Sequence, residues 1–510
     1  MKRKAVLFLL ILLLPVGLCG RAADAATTGF DSAAAANVWS AALAYIAPRA
    51  LNPISIPQMT MWGLNGLAAL DPNLNAALQD GEIRLYGPDR LLLAIPAPAP
   101  TDAVGWGGAA AKVAAAAYAA SPALQEAGTQ GIIGNFFDEL FNHFDPYSRY
   151  EGPVQAAQDQ LMITGLAGTG LTLTAKSGHV VVDGVAADSP AFDAGLQPGM
   201  IIAAMNGRNA YPSMVTALNN SMQGLPGTSL SLAVVDPDDT GNTGAQTFTL
   251  KRGFIPPQTV FAEQPLAPGI PVLKISGFNK GTGDQFAQVL ASVMSQTPAP
   301  TGLVLDLRGN RGGVLRQAVL VADSLLQSGP IAETNGRDPD ADQLFKAEGA
   351  DLTGGARMAV LVDGQTASAA EILASALADD GRAVVIGSET LGKGLVQTVT
   401  SLPDGGELYV TWSRVLAPRG WPLQGLGLMP QVCTANGPAA LNKQLAALEE
   451  GRNLMAPLLA QARALRPPVS IDTMLALRGN CPADIGGELD EQAASAILGS
   501  QEMYQAALLH

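Results

Sequence analysis

Gly302-Leu303-Val304-Leu305-Asp306-Leu307-Arg308-Gly309-Asn310-Arg311-Gly312-Gly313 is the stretch that decides how this chain folds. Residues 302–307 are a short apolar run of strand length, and a glycine-rich turn follows. Residues 315–326 then carry apolar side chains at helical spacing. The same strand–turn–helix order recurs on either side. Residues 272–275 read as a strand and 283–294 as a helix. Downstream come a strand at 358–362, a helix at 369–378 and a closing strand at 383–386. Strands alternating with helices predict an α/β unit with a largely parallel sheet.

Outward from this unit the texture changes twice. Residues 160–253 read as short strands, with Val180-Val181-Val182 after a turn, a strand at 230–235 and a short helix at 213–222. That predicts a small, mostly β unit. Residues 26–150 read as mostly helical, with Ala-rich periodic stretches at 37–46 and 109–120. The run Pro96-Ala97-Pro98-Ala99-Pro100 is a linker, and a helix at 131–143 is stopped by Pro146. Residues beyond Gly437 return to helix and are expected to pack on the outside.

The 510 residues are 48% hydrophobic and 15% charged, a globular composition large enough for several cores. Met1-Lys2-Arg3-Lys4 is a basic start, residues 5–14 are unbroken apolar, and Ala23-Asp24-Ala25 is an A-x-A cleavage site. This predicts a signal peptide over residues 1–25, too short for a membrane span, and a secreted or periplasmic mature protein. Its removal takes four basic groups (Lys2, Arg3, Lys4, Arg21) and one acid (Asp24), moving the formal charge from −14 to −17. Such an acidic body disfavours nucleic acid as a partner. Cleavage also removes Cys19. The two remaining cysteines, Cys433 and Cys481, are expected to form a disulfide in an oxidising compartment.

Few residues are left for chemistry. The three histidines, His143, His179 and His510, form no ligand cluster, so no metal or cofactor is expected. None lies at a strand–helix junction, which argues against a Ser–His–Asp arrangement. Gly387 to Lys393 satisfies part of a phosphate-binding loop, but Gly394 stands where a hydroxyl must hold Mg²⁺. Lys393, between two glycines after an apolar strand, is either a solvated loop lysine or an amine that loses solvation and so can act as a neutral base. Thr366-Ala367-Ser368-Ala369-Ala370-Glu371-Ile372 opens a helix after a strand. Ser368 there is either a helix cap or a hydroxyl beside free backbone N–H groups.

Three segments together resemble a known family. Residues 306–313 resemble the D-L-R-x-N-x-G-G segment of carboxyl-terminal processing (tail-specific) proteases, the S41 serine peptidases. Residues 366–372 resemble their T-A-S-A-S-E-I segment, and Thr390 to Gln397 their T-F-G-K-G-x-V-Q. The likeness runs from Phe144 to Val432. Phe144 to Tyr150 resembles a D-P-Y-S-x-Y segment, and Gly427-Leu428-Met429-Pro430 a closing G-I-x-P. Departures are Ala370 for a second serine, Arg311 for a common proline and Leu391 for a common phenylalanine. Met200 stands where the peptide-binding domain often has Asp.

The resemblance implies roles residue by residue. Ser368 is the nucleophile, Lys393 its base, and Gln397 orients the lysine amine. The backbone of Ala369, with Gly312 or Gly313, forms the oxyanion hole. Gly168, Thr169, Gly170, Leu171, Thr172 and Leu173 resemble a PDZ carboxylate-binding loop. The implied architecture is multidomain α+β: signal peptide 1–25, helical N-terminal region 26–155, PDZ-like peptide-binding domain 156–254. An S41 catalytic core of α/β (ClpP/crotonase-like) type spans 255–436, and a helical C-terminal extension 437–510. The implied function is a serine endopeptidase acting on exported proteins with free, apolar C-termini. The alternative is a catalytically inactive peptide-binding scaffold of the same fold. The helical ends leave an adaptor or self-association open.

Overall fold

The computed structural model describes residues 29–186, 189–237 and 244–508. The expected signal peptide, residues 1–25, and His510 lie outside the described residues. The central sheet has the strand order Val260–Ala267, Ile270–Ile275, Gly302–Asp306, Arg357–Val362, Val384–Gly387, Val432–Cys433. All neighbours are parallel except the first pair. The helices Thr282–Met294, Leu315–Asp323 and Ala369–Asp379 pack on one face. The C-terminal helices Pro438–Glu449, Glu488–Gly499 and Gln501–Ala507 cover the other. A parallel sheet covered on both faces needs strands that are apolar throughout, and every residue of Gly302–Asp306 is buried. The C-terminal segment thus closes the core's second face, a larger part than outside packing.

A second sheet stands beside the first, ordered Gln343–Ala347, Gly329–Gly336, Glu407–Leu416, Leu395–Ser401. The strand Arg149–Glu151 also pairs with Glu407–Leu416. This sheet is not legible in the sequence, because strands such as Gly329–Gly336 and Leu395–Ser401 carry mixed burial patterns that lack a clean period.

The N-terminal segment holds the helices Ser32–Arg49, Ile56–Leu70, Ala103–Ala120 and Pro122–Phe141. Asp31, Ser55, Asp102 and Ser121 cap their starts with side-chain oxygens. Between the second and third helices lies an antiparallel sheet, Asn75–Gln79, Glu82–Tyr86 and Leu91–Pro96. The mostly helical expectation is corrected there: Asp80 and Gly81, both at positive φ, make the first hairpin turn. Trp39, Phe136 and Phe137 centre this core, which also takes in Leu402, Leu408 and Val410 from the second sheet. The Phe137 ring stacks on Tyr150 at 4.6 Å, tying helix to the short strand Arg149–Glu151.

A separate core belongs to the sheet Gln246–Lys251, Ser229–Val235, Ile201–Met205, His179–Val185, Leu171–Lys176. Leu171–Lys176 is its edge strand, and the helix Val215–Met222 lies alongside. Cys433, in the last core strand, is joined to Cys481, just beyond the helix Ile471–Arg478. Among the described residues no helix is long and apolar enough to cross a membrane.

Phe137 is fully buried where three units meet. Phe137→Ala should lower unfolding free energy by about 3–5 kcal/mol in a denaturant titration. A loss under about 1 kcal/mol would mean that this aromatic cluster does not hold the N-terminal helices to the rest.

Candidate active site

The strand Arg357–Val362 leads through a tight turn to the helix Ala369–Asp379, and Ser368 stands at the junction. Its backbone is at φ 57°, ψ −119°, a left-handed conformation that costs a non-glycine residue about 1–3 kcal/mol. The turn is bound on both sides. Thr366 donates its hydroxyl to Leu307 O, and Asp363 Oδ1 accepts from Gly309 N and Thr366 N. Ser368 and Glu371 form a capping box at the start of this helix, and the Ser368 hydroxyl donates no hydrogen bond among the described residues.

Glu371, one turn on, explains how Ser368 is held. Its carboxylate is fully buried and accepts from Ser368 N at 2.8 Å, Gly392 N at 2.8 Å and Lys393 N at 2.9 Å, and also from the Thr390 hydroxyl. One carboxylate therefore binds the serine turn to the loop bearing Lys393. Burial pushes this carboxyl up, and the four donors oppose that by favouring its charged form. The pattern Ser368-x-x-Glu371 is the sequence signature of a capping box. It was the available signal for Glu371, which the sequence reading quoted without a role.

Ser368 and Lys393 line one cleft of about 460 Å³, with Gly312, Gly313, Gln397 and Arg149. Ile372, Leu315, Val396 and Val415 give it an apolar side. No hydrogen bond joins Ser368 Oγ to Lys393 Nζ here. The amine lies 4.8 Å from the centre of the Tyr147 ring. Burial pushes the Lys393 amine below the ordinary lysine value, and Arg149 adds to this, while Asp145 and Glu371 oppose it. Tyr147, Asp145 and Arg149 were not singled out from sequence. Asp145 accepts from Tyr147 N and Ser148 N, a tight turn that places the tyrosine ring over the lysine.

Gln397 differs from its expected role. Its amide donates to Thr411 Oγ1 at 3.0 Å and Leu395 O at 3.3 Å, and it makes no bond to Lys393. Thr411 in turn donates to Asp145 at 2.7 Å, so Gln397 joins the network beneath the lysine's aromatic wall.

The two glycines are distinguishable. Gly312 N donates to Asn310 Oδ1 at 2.8 Å and is occupied. Gly313 N and Ala369 N have no hydrogen-bond partner among the described residues. Gly313 is at φ 138°, and a Cβ there would sit 2.1 Å from Phe278 O, so the close approach admits only glycine.

Of the second candidate region, Gly168 to Leu173, residues Gly168 to Thr172 line a cavity of about 340 Å³ with Asn219 and Met222. Much of its backbone is already engaged. Thr169 N donates to Met222 O at 3.1 Å. Asn219 accepts from Leu173 N and donates to Leu173 O, both at 2.8 Å, in the manner of a neighbouring strand. Of the histidines, His143 stacks on Trp62 at 4.4 Å and His179 opens an edge hairpin, both far in role from this chemistry. Among the described residues no cluster of His, Cys, Asp and Glu could hold a metal ion.

Glu371→Gln replaces an acceptor oxygen with an NH₂ that faces backbone donors. Leaving one buried donor unsatisfied costs about 1–3 kcal/mol. The variant should lose that much stability in a denaturant titration, and peptide cleavage should fall more than about tenfold because the lysine loop comes loose. Wild-type cleavage by Glu371→Gln would contradict the clamp.

The chain is similar to several known proteins. The model of peptidase family S41 matches residues 269–434. A carboxy-terminal-processing protease of Bartonella bacilliformis is 30% identical over 306 residues, covering 59% of this chain and 69% of that protein. A carboxyl-terminal-processing protease of Synechocystis sp. is 33% identical over 292 residues, covering 56% of this chain and 67% of that protein. The solved photosystem II D1 C-terminal processing protease is 27% identical with a TM-score of 0.35, over 59% of this chain and 80% of that one. The chain belongs to the carboxyl-terminal processing proteases of peptidase family S41, a family of serine peptidases.

Proposed function

We propose that Ser368 and Lys393 form the catalytic pair of this protease. The observation that carries this reading is their meeting in one cleft, with a strained serine and a desolvated lysine whose backbone N–H groups are bound to the same carboxylate. Neutral Lys393 Nζ takes the proton from Ser368 Oγ as the hydroxyl oxygen attacks the scissile carbonyl carbon. The carbonyl oxygen becomes an oxyanion and is met by the free N–H groups of Ala369 and Gly313, helped by the start of the helix Ala369–Asp379. Lys393 then returns the proton to the leaving amine, and the acyl group stays on Ser368 until water, deprotonated by Lys393, releases it. The absent Ser–Lys hydrogen bond fits a resting site, since such contacts often tighten only with substrate bound.

Around this centre we assign residues 156–254 to a PDZ-like domain and 255–436 to the catalytic core. The substrates are exported proteins with free, apolar C-termini, and the protein is secreted or periplasmic. The tail would add as a strand beside Leu171–Lys176, displacing Asn219 from the Leu173 backbone. Its carboxylate would lie at Gly170 and Leu171. The rest of the tail would run toward Ser368 as extended chain.

The test uses the protein with an unstructured substrate ending in apolar residues, with products read by mass spectrometry. Ser368→Ala and Lys393→Ala should each abolish cleavage, and a C-terminal amide on the substrate should slow it. Because burial lowers the lysine's pKa, the neutral base is populated at lower pH than for a free lysine. Activity should therefore be lost as pH falls through that value and should rise toward mildly alkaline pH. Chelators should have no effect. Cleavage that survives Ser368→Ala would mean a different nucleophile, and no cleavage by any form would favour the inactive peptide-binding scaffold.

A further inference from the structure

Residues 478–491 lie outside the region matched by the family model, which ends at 434. They nevertheless contact the glycine turn, the serine turn and the lysine loop of the candidate site. Arg308, just before the glycine turn, bonds Gly487 O at 3.0 Å, Asp490 at 3.2 Å and Glu491 at 3.0 Å. Gly364 N, at the start of the serine turn, donates to Asp484 O at 2.7 Å. The Ser388 hydroxyl donates to the same carbonyl at 3.0 Å, and Glu389 N reaches Cys481 O at 3.4 Å.

Arg478 makes the contact nearest the lysine. Its guanidinium donates to Leu426 O at 2.8 Å and to Thr390 O at 2.9 Å, three residues before Lys393. It passes over Gly427, where a Cβ would lie 2.7 Å from Arg478 Nη1. The side chain is 20% exposed, so these bonds are largely shielded from water. Beside it Glu389 is almost wholly buried, its carboxylate accepts no hydrogen bond among the described residues, and Arg478 Nη1 stands 3.8 Å away. The Cys433–Cys481 disulfide fixes the chain three residues beyond Arg478 to the last core strand.

We propose that this C-terminal strap positions the catalytic loops, and that Arg478 is the positioning residue that holds the loop of Lys393 in the cleft. The proposal rests on the Ser368–Lys393 reading and adds to it a part of the chain that the family match does not include. Glu371 holds the loop from inside through Gly392 N and Lys393 N, and Arg478 holds it from outside through Thr390 O. With the outer bond cut, the loop moves and the amine gains water. The charged groups facing the lysine are Asp145, Arg149 and Glu371, with Tyr147 as its wall. Those facing Arg478 are Glu389 and, behind it, Glu371. Water restores the amine's ordinary affinity for protons, so its neutral form then requires higher pH.

The experiment compares Arg478→Met and Arg478→Lys with wild type, normalising each preparation by titration with an acylating reagent that counts competent nucleophiles. Arg478→Met should lower kcat at neutral pH by about tenfold or more. It should also move the acidic limb of the kcat/KM profile upward by about one pH unit. Arg478→Lys, which keeps one cationic donor, should recover part of both. A change that only destabilised the fold would reduce the titrated sites and leave the limb in place. If Arg478→Met does not fold, the double variant Cys433→Ala/Cys481→Ala, which frees the strap at its anchor, should show the same upward limb. A limb at the wild-type position in the variant that folds overturns the proposal. Cleavage that survives Ser368→Ala in parallel would instead strike the underlying dyad, so the two failures are distinguishable.

Discussion

The carboxylate of Glu371 gathers donors from two segments of chain that meet only in three dimensions: the serine turn and the lysine loop. A carboxylate without protein donors at that depth would cost several kcal/mol, so the buried charge and its four donors are mutually dependent. This mutual dependence gives the site its rigidity. Moving Ser368 away from Lys393 would strip the carboxylate of a partner, and straightening the strained serine backbone would do the same. The strain at Ser368 is retained because the surrounding bonds over-determine it.

The rest of the molecule supports that centre from three sides. The parallel sheet, buried on both faces, brings the ends of Gly302–Asp306, Arg357–Val362 and Val384–Gly387 side by side, so their following loops converge. The N-terminal helices hold the turn at Asp145 against the second sheet through the Phe137–Tyr150 stack, and the turn carries the Tyr147 ring over the lysine. The C-terminal segment closes the remaining side, bonded to backbone carbonyls and amides of the loops themselves. Segments before and after the family match therefore both reach the candidate site.

The core strands were legible because a doubly covered parallel strand is apolar along its whole length, and the glycine-rich turns between them are unmistakable. Ser368 and Lys393 stand out in the sequence as candidates through the resemblance. A serine at a helix start and a lysine between glycines are each ordinary. The hairpin at Asn75–Gln79 and Glu82–Tyr86 hid behind Ala-rich sequence of helical propensity, where the turn at Asp80 and Gly81 decided the outcome. Tyr147 and Arg478 could not be read in advance. Their roles come from contacts spanning many residues, Tyr147 with Lys393 and Arg478 with Thr390, and no local pattern encodes those. Gln397 shows the opposite limit: a role carried over from a motif met a side chain bonded elsewhere, to Thr411.

In the proposed reaction an acyl group passes through Ser368 with Lys393 as its base. The most direct measurement is the mass of the protein trapped during turnover of a slowly deacylating peptide ester, followed by peptide mapping. The wild type should carry one added acyl mass located on Ser368, and Lys393→Ala should carry none at neutral pH. An adduct on another residue, or turnover with no covalent species at any pH, would contradict it.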